Sequence, residues 1–189
     1  MALQLKHYFK KFEFPAIIFI TGAALLALEI ITLRLLSPYF GTTLYATSSV
    51  ISVTLGALAL GYSLGGHFAK RYLTQSNFYS LVALLGVSFF LVQAVDSLVV
   101  PMTLPYLSFV NGALLTSLLL LTFPGVLGGA IAPCAAYLYG ERIHMDVGYV
   151  SGVIFSVSTV GSIVGSIAAT FFLIPHFPLP LILEVIGSV

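Results

Sequence analysis

Long runs of apolar residues alternate along this chain with short stretches of turn-forming and charged residues. A helix needs about 20 mostly apolar residues to cross roughly 30 Å of hydrocarbon. By that measure the runs at 15–36, 42–68, 78–100, 106–140 and 147–174 each predict one crossing, and 181–189 predicts the start of a sixth. At the 1.5 Å rise of an α-helix the last run covers only about 14 Å. The sixth span is therefore incomplete, and a natural polypeptide is expected to continue beyond Val189. Prolines punctuate the pattern: Pro15 is expected to open the first helix and Ser37-Pro38-Tyr39-Phe40-Gly41 to close it. Pro101 and Pro105 mark the turn after the third, and Pro175 to Pro180 the turn before the last.

The run 106–140 admits two readings, one long helix or two short ones broken near Phe123-Pro124-Gly125. Charge decides between them. Basic residues fall in three clusters, Lys6, Lys10 and Lys11, then Lys70 and Arg71, then Arg142. As one helix, 106–140 puts all three clusters on one side of the membrane and leaves the opposite loops without Lys or Arg, which satisfies the positive-inside rule with the N-terminus cytoplasmic. One helix, bent at Pro124 and near Pro133, is the reading that follows.

Composition agrees with that picture. At 7% charged and 59% hydrophobic residues, and a mean hydropathy of +1.11, the chain is an integral membrane protein. The fold class is all-α, a polytopic transmembrane bundle of about six spans in one domain over 1–189, with no soluble catalytic domain. The basic N-terminus before an apolar run has the look of a signal peptide, but that run exceeds the roughly 7–15 apolar residues of a signal sequence and reads as an uncleaved first span. The lone Cys134 can form no internal disulfide and reads as a packing residue. No basic patch beyond the loop clusters suggests a nucleic-acid partner. The lipid bilayer is the expected environment.

Helices in lipid associate through close backbone approach at small residues. Gly61 and Gly65 in the second span, and Gly161 and Gly165 in the fifth, have that spacing and are expected to pack the bundle internally. Gly125, Gly128, Gly129 and Ala132 around Pro124 form a third close-approach surface.

Glu29 is the least expected residue. It lies past the middle of the first span, where an ionisable group must find a partner, be neutral, or serve a function. One reading has it pinning the first helix to Thr47, Ser48 or Ser49; the other makes it a site for a proton, a cation or a protonated amine. Arg34, Gln93, Asp96 and Asn111 form a candidate polar cluster near the outer ends of their helices. Glu141, Arg142, His144 and Asp146 share a loop, but with no metal-ligand spacing there is no metal to expect, and no cofactor-binding motif occurs. No nucleophile and base stand in a catalytic arrangement, so the chain alone does not read as an enzyme.

Two resemblances extend these readings. The glycine-rich end Gly61-Tyr62-Ser63-Leu64-Gly65-Gly66 followed by Lys70-Arg71 resembles the corresponding loop of major facilitator transporters, which implies a bundle like half of such a transporter. The ordered string Gly22 to Glu29, Arg34-Leu35-Leu36, Phe40-Gly41-Thr42, Tyr45-Ala46-Thr47 and Gly56 to Gly61 resembles the start of the membrane domain of spermidine synthase-like proteins. Phe123-Pro124-Gly125, Gly128-Gly129-Ala130 and Gly161 to Ser166 resemble its later helices. That resemblance, over residues 15–178, implies a bacterial or archaeal cytoplasmic-membrane module that partners a soluble aminopropyltransferase-like domain or subunit. No residue here matches such a catalytic domain. The alternative is a small homo-oligomeric transporter of an amine or cation at Glu29.

Overall fold

The structure is a computed structural model that describes residues 2–103 and 108–188, the side chains of 2–11, 103 and 109 excepted. Pro105, Tyr106 and Val189, and the side chains of Lys6, His7, Lys10 and Lys11, lie outside the described residues. Among the described residues six helical rods form an all-α bundle and there is no strand. They are α1 (Ala2–Phe40), α2 (Leu44–Tyr72), α3 (Gln75–Ala94, continued by a π-helical turn Val95–Val99 and by Val100–Thr103), α4 (Phe109–Ile143), α5 (Val147–Ala168, continued by a π-helical turn Ala169–Leu173 and by Ile174–His176) and α6 (Leu179–Ser188). The first five are long and apolar enough to cross a membrane, and α6 is shorter.

Several boundaries differ from the sequence reading, mostly at prolines. Pro15 and Pro38 lie inside α1 rather than at its ends, so the helix runs past 15–36 in both directions. A proline removes one intrahelical hydrogen bond and frees the carbonyl four residues back, and at these two positions that carbonyl lies near a membrane face, where water or headgroups can take it. The bend comes instead at Gly41, whose φ of +62° only glycine adopts without strain. Pro101 and Pro175 are likewise carried within helical segments instead of ending them. The second span starts and ends later than 42–68, the third outruns 78–100 at both ends, the fourth runs past residue 140, and the fifth past 174. The run 106–140 is a single helix in its described part, with Pro124 and Pro133 inside. Threonines fix two entry points: the Thr43 and Thr74 hydroxyls accept the backbone N–H groups of Ala46 and Asn77 and cap α2 and α3.

The bundle is two copies of one three-helix scaffold, the second inverted. α2 lies along α4, with Gly61 against Val126 and Gly65 against Ala130, while α5 lies along α1, with Gly161 against Phe19 and Gly165 against Ala23. Each pair of contacts advances in the same direction along both helices, so α2 runs parallel to α4 and α5 parallel to α1. The next contact repeats the rule: a Cβ on Gly22 would lie 2.6 Å from the Ser158 carbonyl oxygen, and one on Gly129 would lie 2.7 Å from that of Leu58. The exchange of α1 with α4 and of α2 with α5 maps each contact onto the other at constant sequence spacing. α3 and α6 cross on the same axis, where a Cβ on Gly86 would sit 2.5 Å from the Gly187 carbonyl and one on Gly187 would sit 2.8 Å from that of Gly86. Burial follows suit, since Val50, Gly61, Gly65 and Ala69 of α2 are buried and so are Val150, Gly161, Gly165 and Ala169 of α5. Side chains at the glycines would force the backbones apart, and lipid offers no compensating hydrophobic drive.

Charge marks one end of the bundle. Glu13 of α1 pairs with Arg142 of α4 at 2.8 Å, and the Arg142 guanidinium lies over the Phe14 ring at 4.5 Å. The Tyr79 hydroxyl of α3 also bonds Glu13 and accepts from the Gln75 amide at 2.8 Å, while Phe14 and Phe78 meet edge to face at 5.3 Å. The start of α1, the start of α3 and the end of α4 are thereby tied together, on the side that carries Lys70 and Arg71.

Candidate functional site

α1 and α4 form the floor of a crevice whose sides are α2 and α5. Along α1, Ile18, Gly22, Leu25 and Glu29 recur at helical spacing and so share one face. That face meets Thr54, Leu58 and Tyr62 of α2, Gly128 and Ala132 of α4, and Ser158 and Ser162 of α5, around a cavity of about 80 Å³. The inverted symmetry passes through it: Leu58 and Tyr62 correspond to Ser158 and Ser162, and Thr21 and Leu25 to Gly128 and Ala132. Glu29 is the departure, because its counterpart on α4 is Ala136.

The hydroxyls are oriented by the backbone. Thr21 donates to the Ile18 carbonyl at 3.2 Å, Thr54 to Val50 at 2.9 Å, and Ser162 of α5 to Gly22 of α1 at 3.1 Å. With their protons committed, these oxygens offer lone pairs to whatever occupies the cavity. Glu29 adds a carboxylate, and among the described residues no group hydrogen-bonds or ion-pairs with it. The Thr47 hydroxyl donates instead to the Thr43 carbonyl at 3.1 Å, and Glu29 and Thr54 line the same cavity. An acceptor-rich lining with one carboxylate and no Lys, Arg or His suits a ligand that carries hydrogen-bond donors and positive charge.

The other sequence candidates are not drawn into this site. Arg34 and Asn111 are exposed, Gln93 and Asp96 half-buried, and among the described residues no hydrogen bond or ion pair joins any two of the four. Asp96 lies in the π-helical turn of α3. Gly61, Gly65, Gly161 and Gly165 stand at the interhelical contacts described above. Glu141 accepts from the Tyr137 hydroxyl at 3.0 Å, and His144 ends α4 in a left-handed conformation. Among the described residues no three His, Cys, Asp or Glu side chains come together as a metal site. Cys134 is buried and donates weakly to the Gly65 carbonyl at 3.5 Å, which places it in the α2–α4 seam.

Sequence reading passed over Glu13 as a partner for Arg142, and over Tyr62 and the serine hydroxyls as cavity lining. Glu13 stands directly before the first apolar run, as a charge at a membrane face does, and that position was the available signal. Comparison of the chain with known protein families, with curated proteins and with solved structures finds no match.

Proposed function

We propose that this chain is a membrane module that binds a small cation, with a protonated primary amine as the first candidate, and that Glu29 supplies the counter-charge. The observation that carries the reading is the Glu29 carboxylate in an acceptor-lined cavity between α1, α2, α4 and α5, without a protein cation beside it. The inverted scaffold supports a transport role, because inverted repeats with a polar site at their interface are a recurrent plan of secondary transporters. The cavity has room for one ammonium group and a few waters, not for a whole polyamine, so a longer amine would leave most of its length outside.

The resemblance to spermidine synthase-like membrane domains supports a second reading, in which the bundle is the membrane partner of a soluble aminopropyltransferase-like domain or subunit and handles its amine. The charged end with Lys70, Arg71 and Arg142 is then the cytoplasmic face, as the positive-inside rule requires, and the cell a bacterium or archaeon.

Equilibrium binding of radiolabelled putrescine to the purified protein in lipid nanodiscs, with excess sodium and rubidium as competitors, tests the cation site. Saturable binding that falls at least about 100-fold in Glu29→Gln, as expected when one partner of a desolvated charge pair is removed, supports it. Equal affinity in the two proteins rules it out.

A further inference from the structure

A second, larger cavity of about 510 Å³ opens between α2, α4 and α5 on the side of the inner one toward the charged end. Its walls continue those of the inner cavity along the same helix faces. On α2 the inner cavity ends at Tyr62, and the outer one begins a turn later at Gly66 and reaches Lys70. On α4 the sequence is Gly128 and Ala132 inside, then Ala136 and Gly140 outside; on α5 it is Ser162 and Ser158 inside, then Phe155 and Ser151 outside. On three helices the two linings thus follow one another in the three- and four-residue steps of a helical face. At the junction Tyr62, which lines the inner cavity, meets Phe155, which lines the outer one, edge to face across the groove with ring centroids 6.1 Å apart.

We infer that the two cavities are sections of one access route from the charged end to Glu29, and that the Tyr62–Phe155 pair is the barrier between them. The outer cavity is the entry vestibule. Glu141 and Lys70 are among its lining residues and the rest of its wall is largely apolar, so it holds the trailing part of an amine whose leading ammonium group passes the pair. Thr21 and the inner hydroxyls then offer lone pairs on the way to Glu29. Both rings are half-exposed, Tyr62 at 42% and Phe155 at 44%, so either has space to swing aside without unpacking the core. This route rests on the cation-site reading only for the identity of its traveller, and the barrier can be measured without any ligand.

The test uses full-length protein in nanodiscs, with Cys134 replaced by Ala, and a single cysteine in place of Ser151 in the vestibule or of Ser158 in the inner cavity. The probe is a membrane-impermeant, trimethylammonium-bearing methanethiosulfonate. Ser151→Cys is expected to react quickly with or without the pair. Ser158→Cys is expected to react more slowly by about ten-fold, which corresponds to the upper range for an edge-to-face aromatic contact, and to approach the vestibule rate when Phe155→Leu or Tyr62→Leu is added. Two independent leucine variants keep the result readable if one of them fails to fold. Equal rates at the two positions with the pair intact, or no acceleration when either ring is removed, would overturn the inference. Loss of putrescine binding in Glu29→Gln changes neither rate, so failure of the barrier and failure of the cation site give different results.

Discussion

Helices α1 to α3 and helices α4 to α6 share their glycines but not their chemistry. Gly61 and Gly65 of α2 settle onto α4 as Gly161 and Gly165 of α5 settle onto α1, and Gly86 meets Gly187 where α3 crosses α6. Around the cavities the copies diverge: Glu29 corresponds to Ala136, which lines the outer cavity instead, Tyr62 to Ser162, and Leu58 to Ser158. At the charged end the divergence becomes a bond, because Glu13 belongs to the first copy and Arg142 to the second. The scaffold positions are constrained by backbone contact, where any Cβ collides. Tyr62 and Ser162, and Leu58 and Ser158, line the cavity and differ in size and polarity between the copies.

Substitutions on the scaffold should act alike in the two copies. Gly65→Ala and Gly165→Ala each place a methyl group against a carbonyl of the facing helix, and each is expected to lower unfolding free energy by about 1–3 kcal/mol, read from detergent-denaturation midpoints. A large loss in one with none in the other would break the equivalence. The bond between the copies comes next. Glu13 and Arg142 are partly exposed, at 30% and 23%, so Glu13→Gln and Arg142→Gln should each cost about 1 kcal/mol or less, and a double-mutant cycle should show that the two losses are not additive. The smallest effect is expected at Gly56 and Gly152, where a Cβ meets nothing within 4 Å. Alanine there should be neutral or slightly stabilising, by up to about 1 kcal/mol, through helix propensity alone. Destabilisation at either position would show that these open faces of α2 and α5 are packed against something.

The sequence pattern carried the helical bundle, the five long apolar helices and the continuity of α4, because apolar length and the placement of Lys and Arg act on whole segments. It failed locally at Pro15, Pro38, Pro101 and Pro175, where proline rules that hold in soluble helices meet chain that lies near a membrane face. It left the direction of Glu29 open, since a uniformly apolar helix has no polar stripe from which a facing partner can be read. The inverted repeat was present in the paired glycines of α2 and α5, yet Tyr62 against Ser162 and Leu58 against Ser158 hide it between those glycines. The Tyr62–Phe155 contact is out of reach of sequence reasoning, because it joins two aromatic residues with no spacing rule between them.

Two carboxylates in apolar helices separate the account from a general effect of charge. Glu29 lines the cavity, and Glu184 of α6 is exposed on the outside of the bundle. The decisive measurement is putrescine affinity in Glu29→Gln and Glu184→Gln side by side, with thermal melting as the check on folding. The account expects binding lost in the first by about 100-fold and unchanged in the second, with both proteins folded. Equal loss in the two, or full affinity without the Glu29 carboxylate, would contradict it.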